Sequence, residues 1–144
     1  MLGIYITKTV DETKELATKV AKKIAIGTVI ALIGDLGTGK TAFAQGFAKA
    51  MGIKEAVGSP TFKLVSEYEG LENWLYHIDC YRLKNSQQFM NIGGEEYLAP
   101  DNGVTLIEWA DIVDGVLPTD TLFINFKRTI GKPNHREIII SKNL

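Results

Sequence analysis

The chain has 144 residues, 45% of them hydrophobic and 23% charged, and a net charge of −1. That size suits one domain (1–144) around one core, and the near-neutral balance supplies no global basic field for nucleic acid or an anionic membrane. A single cysteine, Cys80, excludes an internal disulfide and points to a reducing compartment; with no leader peptide and no apolar run long enough to span a bilayer, a soluble cytoplasmic protein is expected.

In chain order, Gly3–Thr7 reads as a short strand. Thr9 and Glu12 have the spacing of a capping box, and Leu16, Val20 and Ile24 recur every four residues as one face of a helix ending before Gly27. The apolar run 28–33 predicts a buried strand, and 41–51 a helix closed by Gly52. Gly58-Ser59-Pro60-Thr61 reads as a loop, because proline restricts both itself and the residue before it. Alternation over 62–68 predicts a strand with one wetter face, turned at 69–73 into a second strand, Trp74–Asp79, as a hairpin. Short helical pieces are expected at 86–92 and 95–98, a brief strand at 104–107 ending in Glu108, and a helical turn at 109–113. Two closing strands at 122–126 and 137–140 are parted by Gly131-Lys132-Pro133. The lysines at 19, 22 and 23 and the basic residues at 127, 128, 132 and 136 read as solvated surface, and Cys80 as a small buried residue at a strand end.

Residues 34–41 spell G-D-L-G-T-G-K-T, the spacing of a phosphate-binding loop, between a strand and a helix as that motif requires. Glycines let successive backbone N–H groups turn toward an anion, and the following helix adds its positive end. Asp35, Leu36, Gly37, Thr38, Gly39, Lys40 and Thr41 are thus the candidate nucleotide-binding residues, with Lys40 reaching the β- and γ-phosphates and the Thr41 hydroxyl joining a Mg²⁺ shell. This context predicts a P-loop NTPase-like α/β fold, a three-layer αβα sandwich whose hairpin and closing strands make the central sheet mixed.

Ligands of open α/β sheets lie beyond the carboxyl ends of the strands, so acids that end apolar runs are the candidates for the chemistry. Asp79 ends 75–78 and Glu108 ends 104–107. Either can hold Mg²⁺, directly or through water, or orient the attacking water; a salt bridge or a helix cap is the structural alternative. In Ser59-Pro60-Thr61, a hydroxyl could sense a γ-phosphate, or the segment could only start a strand. His77 shares the Asp79 face of its strand and reads as a packed, hydrogen-bonded histidine. Arg82 could contact phosphate or tRNA or pair with an acid, and Trp109 could pack near the nucleotide, at a partner surface or in the core.

The P-loop, S-P-T-F (59–62), Y-H-I-D-C-Y-R-L (76–83) and L-I-E-W-A-D (106–111), in this order, closely resemble the TsaE family, also called YjeE. The resemblance covers nearly the whole chain and implies an ATP-binding and hydrolysing component of tRNA threonylcarbamoyladenosine modification. It implies that the ATP cycle of this chain resets or regulates a TsaB–TsaD complex between turnovers, with tRNA contacted through that complex, if at all. It further implies that Lys40 holds phosphates, Thr41 and Glu108 hold Mg²⁺, Asp79 assists hydrolysis, and Thr61 acts as a switch residue. An arginine finger commonly stabilises phosphoryl transfer. With three arginines in the chain, slow hydrolysis alone and faster turnover with a partner are expected. A small-molecule P-loop kinase is the alternative, disfavoured because no arginine-rich lid segment is visible. No N-K-x-D or T-K-x-D segment is present to read guanine, which favours ATP over GTP.

Overall fold

In the computed structural model, which describes residues 1–58 and 64–142, the centre of the sheet is built from the two most apolar runs of the chain. β2 (Val29–Ile33) is buried over its first four residues, and β5 (Gly103–Glu108) over all six. They pair in parallel, as expected of strands covered on both faces. Around them lie β1 (Gly3–Thr7), β3 (Val65–Glu69), β4 (Trp74–Asp79), β6 (Leu122–Thr129) and β7 (Lys132–Ser141), giving a seven-stranded sheet in the order β1-β7-β6-β2-β5-β4-β3. β2 runs parallel to β5 and β6, and β4 parallel to β5. The β3–β4 and β6–β7 hairpins and the β1–β7 pair are antiparallel, so the sheet is mixed.

Two helices, α1 (Val10–Lys23) and α2 (Lys40–Ala50), cover one face. Leu16 and Val20 of α1 and Phe43 and Phe47 of α2 pack against Ile30, Leu32, Ile124 and Ile138 of the strands. Phe43 meets Phe126 edge-on, with centroids 5.7 Å apart. The helices approach closely because Gly46 has no side chain; a Cβ there would come 2.6 Å from the Lys14 carbonyl oxygen. The Thr9 hydroxyl accepts from the Glu12 N–H at 3.1 Å, as the capping box requires, but the Glu12 carboxylate returns to the N–H of Lys8, one residue earlier than the motif specifies.

The opposite face is covered by shorter pieces: α3 (Ser86–Asn91) and 3₁₀ helices at Gly94–Tyr97 and Ala110–Val116. Phe89, Ala110 and Val113 pack there on Ile78, Cys80 and Ile107. Helices on both faces of a mixed sheet give the three-layer arrangement expected of the sequence. No helix among the described residues is long and apolar enough to cross a membrane.

The closing hairpin departs from expectation. Its strands are longer than 122–126 and 137–140, and Lys132 and Pro133 belong to β7 rather than to the turn. β1 pairs with β7 only from Arg136 to Ile140. Pro133 therefore lies where β7 has outrun its neighbour, and a missing N–H is tolerated at such an edge. The strand expected over 62–68 is described from Val65 onward.

Candidate nucleotide site

Register brings the two strand-end acids together. Asp79 is the partner of Glu108 across the parallel β4–β5 pair, and Glu108 is in turn opposite Leu32 of β2, whose next residue, Ile33, leads into the P-loop. Both carboxylates thus stand at strand carboxyl ends beside the N-terminus of α2, where an open α/β sheet places its ligand. Lys40, Thr41, Asp79, Glu108 and Trp109 all line one cleft of about 340 Å³.

The loop is shaped by its own polar groups. Gly37 and Gly39 have φ of 76° and 112°, backbone that disfavours a side chain, and Gly39 is the N-cap of α2. The Thr38 hydroxyl donates to the Asp35 carbonyl at 2.6 Å. Lys40 is buried, and its ammonium donates to the carbonyls of Gly34 and, at 2.9 Å, Asp35. On the outside, Arg128 donates to the Leu36 carbonyl and Arg136 to that of Gly37, the latter at 3.2 Å. Four successive loop carbonyls are therefore held by cationic side chains, two from within and two from the β6–β7 hairpin.

Trp109 is the one non-glycine residue with positive φ (57°) among the described residues. A bulky side chain in that region is a true outlier, costing about 1–2 kcal/mol. It sets the indole over the Lys40 ammonium, 4.4 Å from ring centroid to Nζ, and against the Tyr81 ring at 5.0 Å. Trp109 thus lies at the P-loop, half-buried, and also packs against the core cluster of Ile107 and Ala110.

Burial dominates the electrostatics. It pushes the Lys40 ammonium below its ordinary pKa, and the negative charges of Glu108, Asp79, Asp35 and Asp111 oppose that shift. It pushes the Asp79 carboxyl up, while the backbone N–H of Tyr81, donating to Oδ1 at 2.9 Å, acts against it. Glu108 is buried and bonded to the fully buried His77, Oε2 to Nε2, at 2.6 Å. Cys80 is buried with its thiol pushed up to about 12, an inert position, as expected of a small residue at a strand end. Thr61, with the rest of Ser59-Pro60-Thr61-Phe62, lies outside the described residues.

A second cleft of about 310 Å³ opens on the other side of Gly37 and Gly39. It is lined by Lys8, Thr9 and Thr13 from the β1–α1 junction and by Asn134 and Arg136 from β7, with no carboxylate among the described residues. Reading the sequence as a string gave these residues no role beyond caps and solvated surface. They lie more than ninety positions after the P-loop on one side and 21 to 26 before it on the other, and only the sheet order joins them.

The family model described as "Threonylcarbamoyl adenosine biosynthesis protein TsaE" matches residues 7–138. The tRNA threonylcarbamoyladenosine biosynthesis protein TsaE of Bacillus subtilis is 42% identical over 118 residues, 82% of this chain and 73% of that protein. The protein of the same name from Treponema pallidum is 35% identical over 136 residues, 94% of this chain and 98% of its own length. A crystal structure of Bacillus subtilis YdiB superposes with a TM-score of 0.82 at 35% identity, covering 99% of this chain and 88% of that one. With a family model spanning most of its length and relatives at this identity, the chain belongs to the TsaE family.

Proposed function

We propose that this chain is a Mg²⁺-dependent ATPase that serves tRNA threonylcarbamoyladenosine biosynthesis, working with TsaD and TsaB. The observation that carries the enzymatic part is the register partnership of Asp79 and Glu108 beside Lys40 and Thr41 in one cleft. The biosynthetic role rests on the names of the relatives; the TsaB–TsaD partnership rests on the motif resemblance.

The donor set fits Mg²⁺ arriving with a nucleotide. Asp79, Glu108 and Thr41 offer oxygen, the ligand Mg²⁺ takes, while no cluster of three or more His, Cys, Asp or Glu among the described residues could cage a metal unaided. Bound there, the ion would neutralise charge on the β- and γ-phosphates. The residues of the chain do the rest. The amides of 37–40 receive the phosphates, and Lys40 exchanges its loop carbonyls for phosphate oxygens. Asp79, whose carboxyl burial makes a weaker acid than an ordinary aspartate, holds the attacking water. The nucleoside runs out on the far side of Gly37 into the second cleft, because the acid side is needed for the terminal phosphate and cation.

Among the described residues no arginine lines the acid cleft; Arg136 lines the second cleft, and Arg128 donates to the Leu36 carbonyl. Hydrolysis by the isolated chain is therefore slow, and a partner supplies the missing positive charge. The same feature weighs against a small-molecule kinase, which closes its own cations over both substrates. The test is steady-state phosphate release with and without TsaB–TsaD. Acceleration by the pair supports the reading; equal and brisk rates, or transfer of phosphate to a metabolite, reject it.

A further inference from the structure

We infer that His77 is a positioning residue for Glu108, one that fixes the carboxylate against a Mg²⁺–nucleotide; the inference rests on the ATPase reading above. The terminal torsion of a glutamate is broad and has no sharp steric preference, so packing alone does not set the plane of its carboxylate. His77 supplies one such constraint, from the core side. It stands opposite Leu106 in the β4–β5 register, one side-chain repeat below Glu108 on the same face, and reaches Oε2 with Nε2 at 2.6 Å. A carboxylate oxygen accepts from an imidazole N–H, so the contact is a hydrogen bond aimed along one lone-pair direction of the Glu108 carboxyl. The bond comes from the core side, while Glu108 also lines the cleft of Lys40 and Thr41.

The alternative is that His77 merely fills space, and its other nitrogen argues against that. Nδ1 is buried and has no hydrogen-bond partner among the described residues. An unpaired polar atom in a core costs free energy that an apolar side chain of similar volume would not. A residue selected for packing alone would be Leu or Phe; the feature that only histidine brings here is the Nε2 bond. Asp79 is oriented differently, by the backbone N–H of Tyr81 two residues on. Asp79 thus has a backbone anchor of its own, which substitution of His77 does not remove, although the charges of His77 and Glu108 both act on its carboxyl.

The experiment compares wild type with His77→Leu, which removes the donor at similar volume, and His77→Gln, which keeps an N–H at comparable reach. A fluorescent ATP analogue is titrated in EDTA, and Mn²⁺ is then titrated into each protein with a non-hydrolysable ATP analogue and followed by electron paramagnetic resonance. The Leu variant is expected to bind the analogue in EDTA within about twofold of wild type while its Mn²⁺ midpoint rises about 10- to 100-fold, the range for loss of a hydrogen-bond partner behind a metal ligand. The Gln variant is expected to recover most of that loss. An unchanged midpoint in the Leu variant, or a Gln variant as impaired as Leu, overturns the inference. If the Leu variant does not fold, His77→Asn, whose shorter amide cannot reach Glu108, takes its place with the same two outcomes. A wild-type protein that binds nucleotide with no dependence on Mn²⁺ or Mg²⁺ overturns the ATPase reading itself, which separates that failure from the failure of His77.

Discussion

Two clefts meet at Gly37 and Gly39, and they differ in almost every respect. The first collects Asp79 and Glu108 at neighbouring strand ends and buries a lysine among them. The second has no carboxylate among the described residues and is edged by Lys8 and Arg136. Charge is thus sorted across one short loop: acids where a cation and a terminal phosphate would lie, cations where the remainder of an anionic ligand would leave. The sorting follows from topology. Parallel strands β4 and β5 deliver their ends to one side of β2, while the antiparallel β6–β7 hairpin folds back on the other.

The contrast can be broken at its centre. Lys40→Ala removes the buried cation that the acid cleft holds beside the shared glycines, and ATP affinity should fall about 100-fold, near the 3 kcal/mol upper range for a hydrogen bond to a charged group. Turnover should be lost with it; near-normal binding by equilibrium titration would show that the loop amides suffice alone. Glu108→Gln isolates the acid side. Phosphate release at saturating nucleotide should fall about 100-fold, the scale of losing one positioned electrostatic group, with affinity in EDTA kept within about threefold. Wild-type hydrolysis in this variant would mean that the wrong carboxylate has been chosen.

Arg136→Ala isolates the other cleft. Its bond to the Gly37 carbonyl is exposed, so ATP affinity should weaken only about 5- to 10-fold, with little change in turnover at saturation. A turnover loss larger than the affinity loss would place the guanidinium on the reacting phosphate instead. The smallest effect is on stability. Burial raises the Asp79 pKa, so the folded carboxyl holds its proton more tightly than the unfolded one, and ionisation costs folding energy. That cost is absent below the unfolded pKa and complete once pH exceeds the folded value. Asp79→Asn, which keeps the acceptor for the Tyr81 N–H, should therefore raise Tm at pH 7, with the gain vanishing near pH 4. A gain equal at both pH values would show that the carboxylate charge is not its source.

Much of this was visible before any coordinates. The P-loop announces itself because its chemistry is local: glycines for the turn, a lysine one step into the helix, and a strand and helix on either side. Asp79 and Glu108 stand out by the same logic, each closing an apolar run. Other features were misjudged or missed. The closing strands look shorter than they are because Lys127, Arg128, Lys132 and Arg136 are polar, yet an exposed hairpin needs no apolar alternation to hold its ladder. His77 was legible as a packed, hydrogen-bonded residue, but its partner lies thirty-one positions away in another strand. Nothing near Trp109 announces a left-handed backbone, because the groups its indole meets, Lys40 above all, lie far away in the chain.

The order of residues along the chain decided which groups stand at strand ends, where the loop glycines fall and which family this protein joins, because these depend on neighbours a few bonds apart. The sheet order decided the rest: that Asp79 lies beside Glu108, that His77 lies beneath it, and that arginines from the last hairpin hold the outer carbonyls of the P-loop. Contacts between strands depend on register and on which strands are adjacent. Both are set by burying the whole core at once, a quantity that no single stretch of sequence contains.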